Sequence, residues 1–326
     1  MKNDIFITGA SGYIGKEFLS ELVKREATRT IYCLILNSEH NDFKNVKFIK
    51  GNLLKPSSYQ SYLNNCKTVF HLAGYVKHKI SAREKNYKAN YIGTKKILEA
   101  SIDSGVSDFV YLGSAGVFHS HTSDICNETL PHTTKHSNYY CYTKYISHQL
   151  VRIFSKRGLS ITTIMPVSIY SKDAPMFLEL IDFLYKRKIF FKSLLDKKIF
   201  LVSRKNVTKA LISFDSLGPD PDGYLLTDDS ISMREIIDII SKELSIKIRV
   251  LPTPQIATSI ILNLLHLYTI FTDRDLYVNK ENYNFLNGNL RVNSSKVRKR
   301  LKLEEGNFRN VLKKMAANYR MKLNEK

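Results

Sequence analysis

The sequence predicts a doubly wound α/β fold: a parallel sheet with helices on both faces and a smaller C-terminal lobe woven into it. Three observations carry that expectation. Short β-branched or aromatic runs alternate with helix-like stretches through the first 166 residues, the pattern of parallel strands joined by helical crossovers. The first strand-like run ends in a glycine-rich turn that opens a helix. The chain, at 326 residues with 43% hydrophobic and 25% charged residues, is long enough to bury a large core in one or two domains.

Taken in order, "DIFITG" (4–9) is an apolar run closed by glycine, and a helical pattern follows from Gly12 to Lys24. "TIYCLIL" (30–36), "VKFIKG" (46–51) and "KTVFHLAG" (67–74) read as three further strands. A long helix is expected over 82–104, where Ala89, Ile92, Ile97 and Leu98 recur at helical spacing. "DFVYLGSAG" (108–116) is the next strand, 139–157 a helix, and "LSITTIMP" (159–166) a strand closed by Pro166. Beyond it the pattern loosens into helices at 175–187, 206–215 and 232–244 and the strand "KIFLVS" (198–203). Residues 1–166 thus form a dinucleotide-binding domain, and 167–326 mostly a substrate-binding lobe from which some segments return to the first domain.

Composition narrows the function. No apolar run is long enough to span a bilayer, and the N-terminus reaches its glycine turn too early for a signal peptide. Cys33, Cys66, Cys126 and Cys141 have no paired spacing, so neither a metal site nor a disulfide framework is expected, and a reducing cytoplasm is the expected location. The net charge of +20 is spread along the chain. It suits an anionic small molecule better than nucleic acid, since no basic patch is concentrated enough to track a phosphate backbone. "QIATSIILNLLHLYTIF" (255–271) is apolar apart from a narrow stripe of Gln255, Ser259, Asn263, His266 and Thr269. A helix apolar on most sides is expected to be buried; covering a greasy substrate or lying on a membrane is the lesser reading, so membrane association is not expected.

"ITGASGYIG" sets Gly9, Gly12 and Gly15 three apart between the first strand and the first helix. In that context the first glycine permits the tight turn, the second lets backbone approach a pyrophosphate, and the third allows close helix–strand packing. The helix N-terminus presents free N–H groups to the phosphates. This is the Rossmann arrangement for NAD or NADP. The end of the second strand, Leu36, Asn37 and Ser38, offers neither the acid that selects NAD nor the base that selects NADP.

Three tyrosines have a lysine four residues on: Tyr75 with Lys79, Tyr91 with Lys95, and Tyr140 with Lys144. A lysine cation on the same helix face favours the tyrosinate and fits the tyrosine for acid/base work. Only Tyr140 also has an upstream serine, Ser114, at the carboxyl end of a strand, where open α/β sheets bind ligands.

With "TGASGYIG", "VFHLAG", "KANYIGTKKILEAS", "FVYLGSAGVF" and "YCYTK" in this order and spacing, nearly the whole chain resembles the extended short-chain dehydrogenases/reductases, the NAD-dependent epimerase/dehydratase family. The resemblance implies catalytic roles for Ser114, Tyr140 and Lys144, with Lys144 also at the nicotinamide ribose and Asn90 supporting the site. With the glycine turn it implies a cofactor-binding set of Gly9, Ser11, Gly12, Tyr13, Ile14, Gly15, Asn37, Asn52, Leu53, Leu72, Ala73, Gly74, Asn90, Tyr140, Lys144 and Pro166. It also implies a homodimer through helices 82–104 and 139–157.

Departures from the family pattern are Asn52 for the acid after strand three, Met165 for an arginine, Asn206 for an aspartate, and Phe118 for a tyrosine. Ala115 and Gly116 stand where the dehydratases carry Asp-Glu, so water elimination is not expected. Cys141 is expected to pack, His71 to be satisfied structurally, and His119 and His121 to be solvated. The leading expectation is an NAD(P)-dependent oxidoreductase or epimerase of a secondary alcohol or keto group. A nucleotide sugar stands first as substrate, ahead of a hydrophobic alcohol or ketone of the flavonol-reductase or hydroxysteroid kind. A non-catalytic NAD(P)-sensing regulator is the rival class, disfavoured because Ser114, Tyr140 and Lys144 are all retained.

Overall fold

The computed structural model describes residues 3–36, 43–77, 81–118, 125–132, 136, 138–254, 256–258, 260–264 and 290–324. Asn37, Ser38, Lys79, His119, His121, Gln255, Ser259 and the apolar segment beyond Leu264 lie outside the described residues.

The strands are β1 (Asp4–Thr8), β2 (Ile31–Ile35), β3 (Val46–Lys50), β4 (Cys66–His71), β5 (Asp108–Leu112), β6 (Ile125–Cys126), β7 (Ser160–Pro166), β8 (Ser168–Tyr170), β9 (Ile189–Phe191), β10 (Lys198–Ser203), β11 (Asp220–Leu226), β12 (Asp229–Ser232) and β13 (Arg249–Leu251). Seven form one sheet in the order β11–β7–β5–β4–β1–β2–β3, with every neighbouring pair parallel. Strand order reverses between β1 and β4, which opens a crevice at their carboxyl ends. Side-chain alternation divides the core between the two faces. Ile5 and Ile7 of β1 pack with Phe18, Leu22 and Phe70, and Phe6 packs with Tyr59, Val69, Ile97 and Phe109.

Helix α1 (Gly15–Arg25) covers the first face beside Val207, Ala210 and Leu211 of the helix Arg204–Ile212. That helix, β11 and a later segment with Val292, Val297 and Leu303 all come from beyond residue 166 and join the first core. Much of the remaining second half makes its own core. Tyr170, Phe177, Ile181, Leu201, Ile236 and Phe308 close around the three-stranded sheet β12–β10–β8.

Four local expectations change. Helix α1 begins at Gly15, not Gly12, because the Gly9–Gly12 stretch is a turn, with Gly12 N donating to Gly9 O at 3.0 Å. The long helix over 82–104 is three pieces, Arg83–Asn86, a π-helical turn Tyr87–Ile92, and Gly93–Asp103. The Asn90 carbonyl accepts from both the Thr94 and the Ser147 hydroxyls, and these side-chain donors compete with the regular helical bond at the widened turn. Strand β11 is absent from the sequence-level pattern because Pro221-Asp222-Gly223 reads as a turn. Its register with β7 shifts between Asp220 and Tyr224, and pairing resumes beyond Gly223.

The fourth change concerns the apolar helix expected to be buried. Among its described residues Ile256, Ile260 and Leu264 are 77%, 55% and 62% exposed, while Thr258 and Leu262 are buried. The exposed positions recur at helical spacing, so one aliphatic face points to water.

Candidate active site

The crevice is built by backbone contact. Gly9 has φ +79°, and a Cβ there would lie 2.6 Å from the Ala73 nitrogen, so the ends of β1 and β4 approach as closely as glycine allows. A Cβ on Gly15 would lie 2.0 Å from the Gly9 carbonyl oxygen, which brings α1 down onto the turn. No side chain caps α1 at Ile14, so the helix end is left open to an outside acceptor. A cavity of about 420 Å³ lies there, lined by Ser11, Gly12, Tyr13, Lys16, Glu17, Asp173 and Arg204. An uncapped helix N-terminus, an exposed glycine and a lysine beside open space fit a dinucleotide diphosphate.

Beside the turn, Leu72 N donates to Thr8 O at 3.0 Å and Ala73 N to Thr8 Oγ1 at 3.3 Å. His71 bridges Thr8 Oγ1 (2.6 Å) and Thr94 Oγ1 (2.9 Å), and burial pushes its pKa down to about 3, so it stays neutral and structural. Asn52 accepts from Leu54 N at 2.9 Å and thereby shapes its own loop. Leu53 packs on Gly93, Gly74 lies against Asn90, and Pro166 ends β7 beside Leu226 of β11.

The catalytic candidates meet at the carboxyl end of β5. Ser114 follows Leu112 and Gly113 there, its Oγ accepting from Gly116 N at 3.1 Å. Asn138 caps the helix Tyr139–Ser155 by accepting from Cys141 N at 2.8 Å, which places Tyr140 in the first turn and Lys144 one turn on. The Ser114 side chain is near enough to the Tyr140 hydroxyl to hold its pKa down against burial. Lys144 Nζ donates to Leu112 O at 2.7 Å and sits 4.6 Å from the Tyr111 ring centroid. The lysine is therefore fastened to the strand end that carries Ser114.

Electrostatics depart from expectation. Tyr140 is half-buried, and burial pushes its pKa up, with Ser114 opposing the shift without cancelling it. Burial likewise brings Lys144 down to about 7.

Asn90 joins the parts. Its Nδ2 donates to Tyr75 O and Thr143 Oγ1, both at 3.0 Å, and its Oδ1 accepts from Tyr75 N at 2.7 Å. It ties the loop after β4 to the Tyr140 helix one residue before Lys144. The rival tyrosines sit elsewhere: Tyr91 packs on Tyr87, and Lys95 pairs with Glu99 at 3.8 Å. Cys141 is buried against Gly116, as packing requires. Tyr139 stacks under the Arg83 guanidinium, and Tyr145 packs on His132 and His136.

Sequence reading missed a clamp over the cradle. Arg204 donates to Glu17 Oε2 (2.7 Å), Asp173 Oδ2 (2.9 Å) and Tyr13 O (3.2 Å), and its guanidinium lies 4.7 Å from the Tyr13 ring centroid. The Tyr13 hydroxyl meets Ser171 Oγ at 2.7 Å. The only sequence signal was an arginine at the start of a helix after "KIFLVS", which by itself names no partner.

A glycine turn at a strand-order reversal, with serine, tyrosine and lysine gathered at the next strand end, defines a dinucleotide-dependent short-chain dehydrogenase site. Residues 5–181 match the model of the NAD dependent epimerase/dehydratase family, and the chain belongs to that family. It is 29% identical over 192 residues to sterol-4-alpha-carboxylate 3-dehydrogenase, decarboxylating, of Mus musculus, covering 57% of this chain and 51% of that protein. It is 25% identical over 254 residues to 4-hydroxy-2-methyl-3-oxo-4-farnesyl-3,4-dihydroquinoline-1-oxide ketoreductase of Stigmatella aurantiaca, covering 75% and 74%. The chain spans about half the length of several curated relatives it matches. A solved UDP-glucose 4-epimerase of Thermus thermophilus in complex with NAD superposes with TM-score 0.69 at 15% identity, covering 97% of this chain and 99% of that one, and shares its fold.

Proposed function

We propose that the protein is an NAD-dependent oxidoreductase that interconverts a secondary alcohol and a ketone on a hydrophobic substrate. The observation that carries the chemistry is the gathering of Ser114, Tyr140 and Lys144 at the end of β5, with Lys144 anchored to the Leu112 carbonyl. When bound, the nicotinamide supplies or accepts the hydride. Ser114 donates a hydrogen bond to the substrate oxygen and orients it. In reduction Tyr140 gives its proton to that oxygen as negative charge develops there; in oxidation it takes the alcohol proton. Lys144 and Asn90 hold the tyrosine's helix against the strand ends. Ser11, Gly12, Tyr13 and Lys16, which line the cavity at the glycine turn, would hold the diphosphate, with the Arg204 clamp beside them.

Two things support the substrate class. The mouse sterol dehydrogenase and the Stigmatella ketoreductase, both matched by sequence, act on apolar molecules by name. Behind Ser114 the turn Ala115–Phe118 is buried and apolar, so it provides no second acid for water elimination. The sequence alone put the nucleotide sugar first; this reading puts it second on the support of these two relatives. The sugar remains the second reading, supported by the net charge of +20 and by Lys16 at the cavity. A homodimer through the Tyr140 helix and the helix Gly93–Asp103 belongs to the same proposal; Tyr142 and Ile153 are exposed on the former.

The test is turnover of the purified chain with NAD or NADP against a panel of 3-hydroxy and 3-keto steroids, farnesylated ketones and UDP-sugars. Turnover of an apolar ketone or alcohol is expected. Turnover of UDP-sugars alone would move the assignment to the second reading. Cofactor binding without hydride transfer to any substrate would leave the regulator.

A further inference from the structure

We propose that the face formed by residues 247–254, 256–258 and 260–264 together with strand β9 docks the protein on an anionic lipid surface. The first observation is the inverted helix. Ile256, Ile260, Ile261 and Leu264 face water, while Thr258 and Leu262 face the protein. Thr258 turns its hydroxyl back to the Pro254 carbonyl at 3.1 Å, and Leu262 joins the core of the second lobe. The helix is therefore seated by its inner side, and its aliphatic side is uncovered among the described residues. Val250, in the middle of β13, is also exposed.

The second observation is charge. Strand β13 (Arg249–Leu251) pairs in parallel with β9 (Ile189–Phe191), and Arg249 N donates to Lys188 O at 2.7 Å. This ladder brings together two stretches that contain no acidic residue, 183–195 and 244–264. Between them they carry Lys186, Arg187, Lys188, Lys192, Lys247 and Arg249, all exposed. Lys186 pairs with Asp182 at 2.9 Å; the others lie on these two paired stretches, which carry no carboxylate of their own. Exposed aliphatic side chains together with exposed cations match a bilayer interface, where acyl chains take the aliphatics and anionic headgroups take the cations. Acidic or mixed charge would be expected for a basic protein partner or a second copy of this cationic chain.

Among the described residues no helix is long and apolar enough to cross a membrane. The mode is thus docking in the interface plane, with the helix lying along the surface. Such docking stands apart from the substrate assignment, although it would bring the site to molecules dissolved in lipid.

The experiment is co-sedimentation of the full chain with vesicles of phosphatidylcholine, alone or with about one-third phosphatidylglycerol. Wild type is expected to sediment with the anionic vesicles and to be released by high salt. Ile260→Asp with Leu264→Asp should weaken partition by about tenfold or more, as should Lys247→Glu with Arg249→Glu. Thermal melts of both variants should stay near wild type, which shows that they fold. The milder pair Ile260→Ser and Leu264→Ser should give an intermediate loss. Failure of wild type to bind anionic vesicles would overturn the proposal, as would binding that all three variants retain. A homodimer in solution that the Ile260→Asp pair dissociates, without vesicle binding, would reassign the face to a second copy.

Discussion

Two helices of this molecule solve opposite problems. The Tyr140 helix turns polar residues inward: Asn138 at its cap, Thr143, Lys144, Ser147 and His148 are all buried. The helix through 256–264 turns aliphatic residues outward. Both arrangements cost stability relative to an ordinary amphipathic helix. In the Tyr140 helix the cost is offset by partners: Lys144 on Leu112 O, Thr143 on Asn90, Ser147 on Asn90 O, and His148 on Pro221 O. The outward helix shows no such partners for its aliphatic side among the described residues. The contrast teaches that inward polarity is sustained by partners from other elements, whereas outward apolarity leaves a face without them.

The hardest blow to the Tyr140 helix is at its first turn. Tyr140→Phe removes the proton donor and should lower turnover by about 10²–10⁴-fold while the melting temperature stays near wild type. Unchanged turnover would break the assignment of this helix to catalysis. Lys144→Met should lower turnover by roughly 100-fold and yet leave stability equal or higher. The lysine's folded pKa lies near 7, below its usual 10.5, so burying the charged form opposes folding at neutral pH. A clear loss of stability in that variant would show that the Leu112 bond outweighs the burial.

The pH dependence sharpens the comparison further. His71, His132 and His148 are held down to about 3, 3 and 4 from the usual 6.5, chiefly by burial. As pH falls through about 6.5 the unfolded chain takes up these protons and the folded chain does not, so stability is lost from about pH 6.5 toward pH 4. Thermal melts across that range should show a fall, and a flat profile would mean that these side chains open to water without unfolding. Tyr140 stays protonated well above neutrality, so ketone reduction should hold its rate between about pH 6 and 9 while alcohol oxidation rises with pH. Initial rates in both directions test this.

The smallest effect belongs to the outward helix. Ile260→Ser should change folding stability by no more than about 0.5 kcal/mol, read from denaturant titration. A larger loss would place Ile260 in a packed contact and erase the contrast with the Tyr140 helix.

Much of the catalytic geometry was legible because its parts are local. The Tyr140–Lys144 spacing, the Asn138 cap and the Gly9–Gly12–Gly15 turn are each encoded within a few residues. The Arg204 clamp was not, since Arg204 meets Glu17 across 187 residues and Asp173 across 31. Strand β11 was hidden because its Asp-Gly step has the composition of a turn, and only the open edge of β7 recruits it into the sheet. The π turn at Asn90 was hidden because it depends on a hydroxyl from the Tyr140 helix, that of Ser147.

The sequence by itself determined the doubly wound class, the phosphate turn, and the serine, tyrosine and lysine of the site. Periodicity and short-range spacing specify these without knowledge of the partner. Tertiary structure alone decided three other matters: which way the apolar helix faces, that Arg204 closes the cradle, and that burial raises the Tyr140 phenol and lowers Lys144. Each depends on what stands opposite a side chain, and desolvation and long-range pairing exist only once the chain has folded around it.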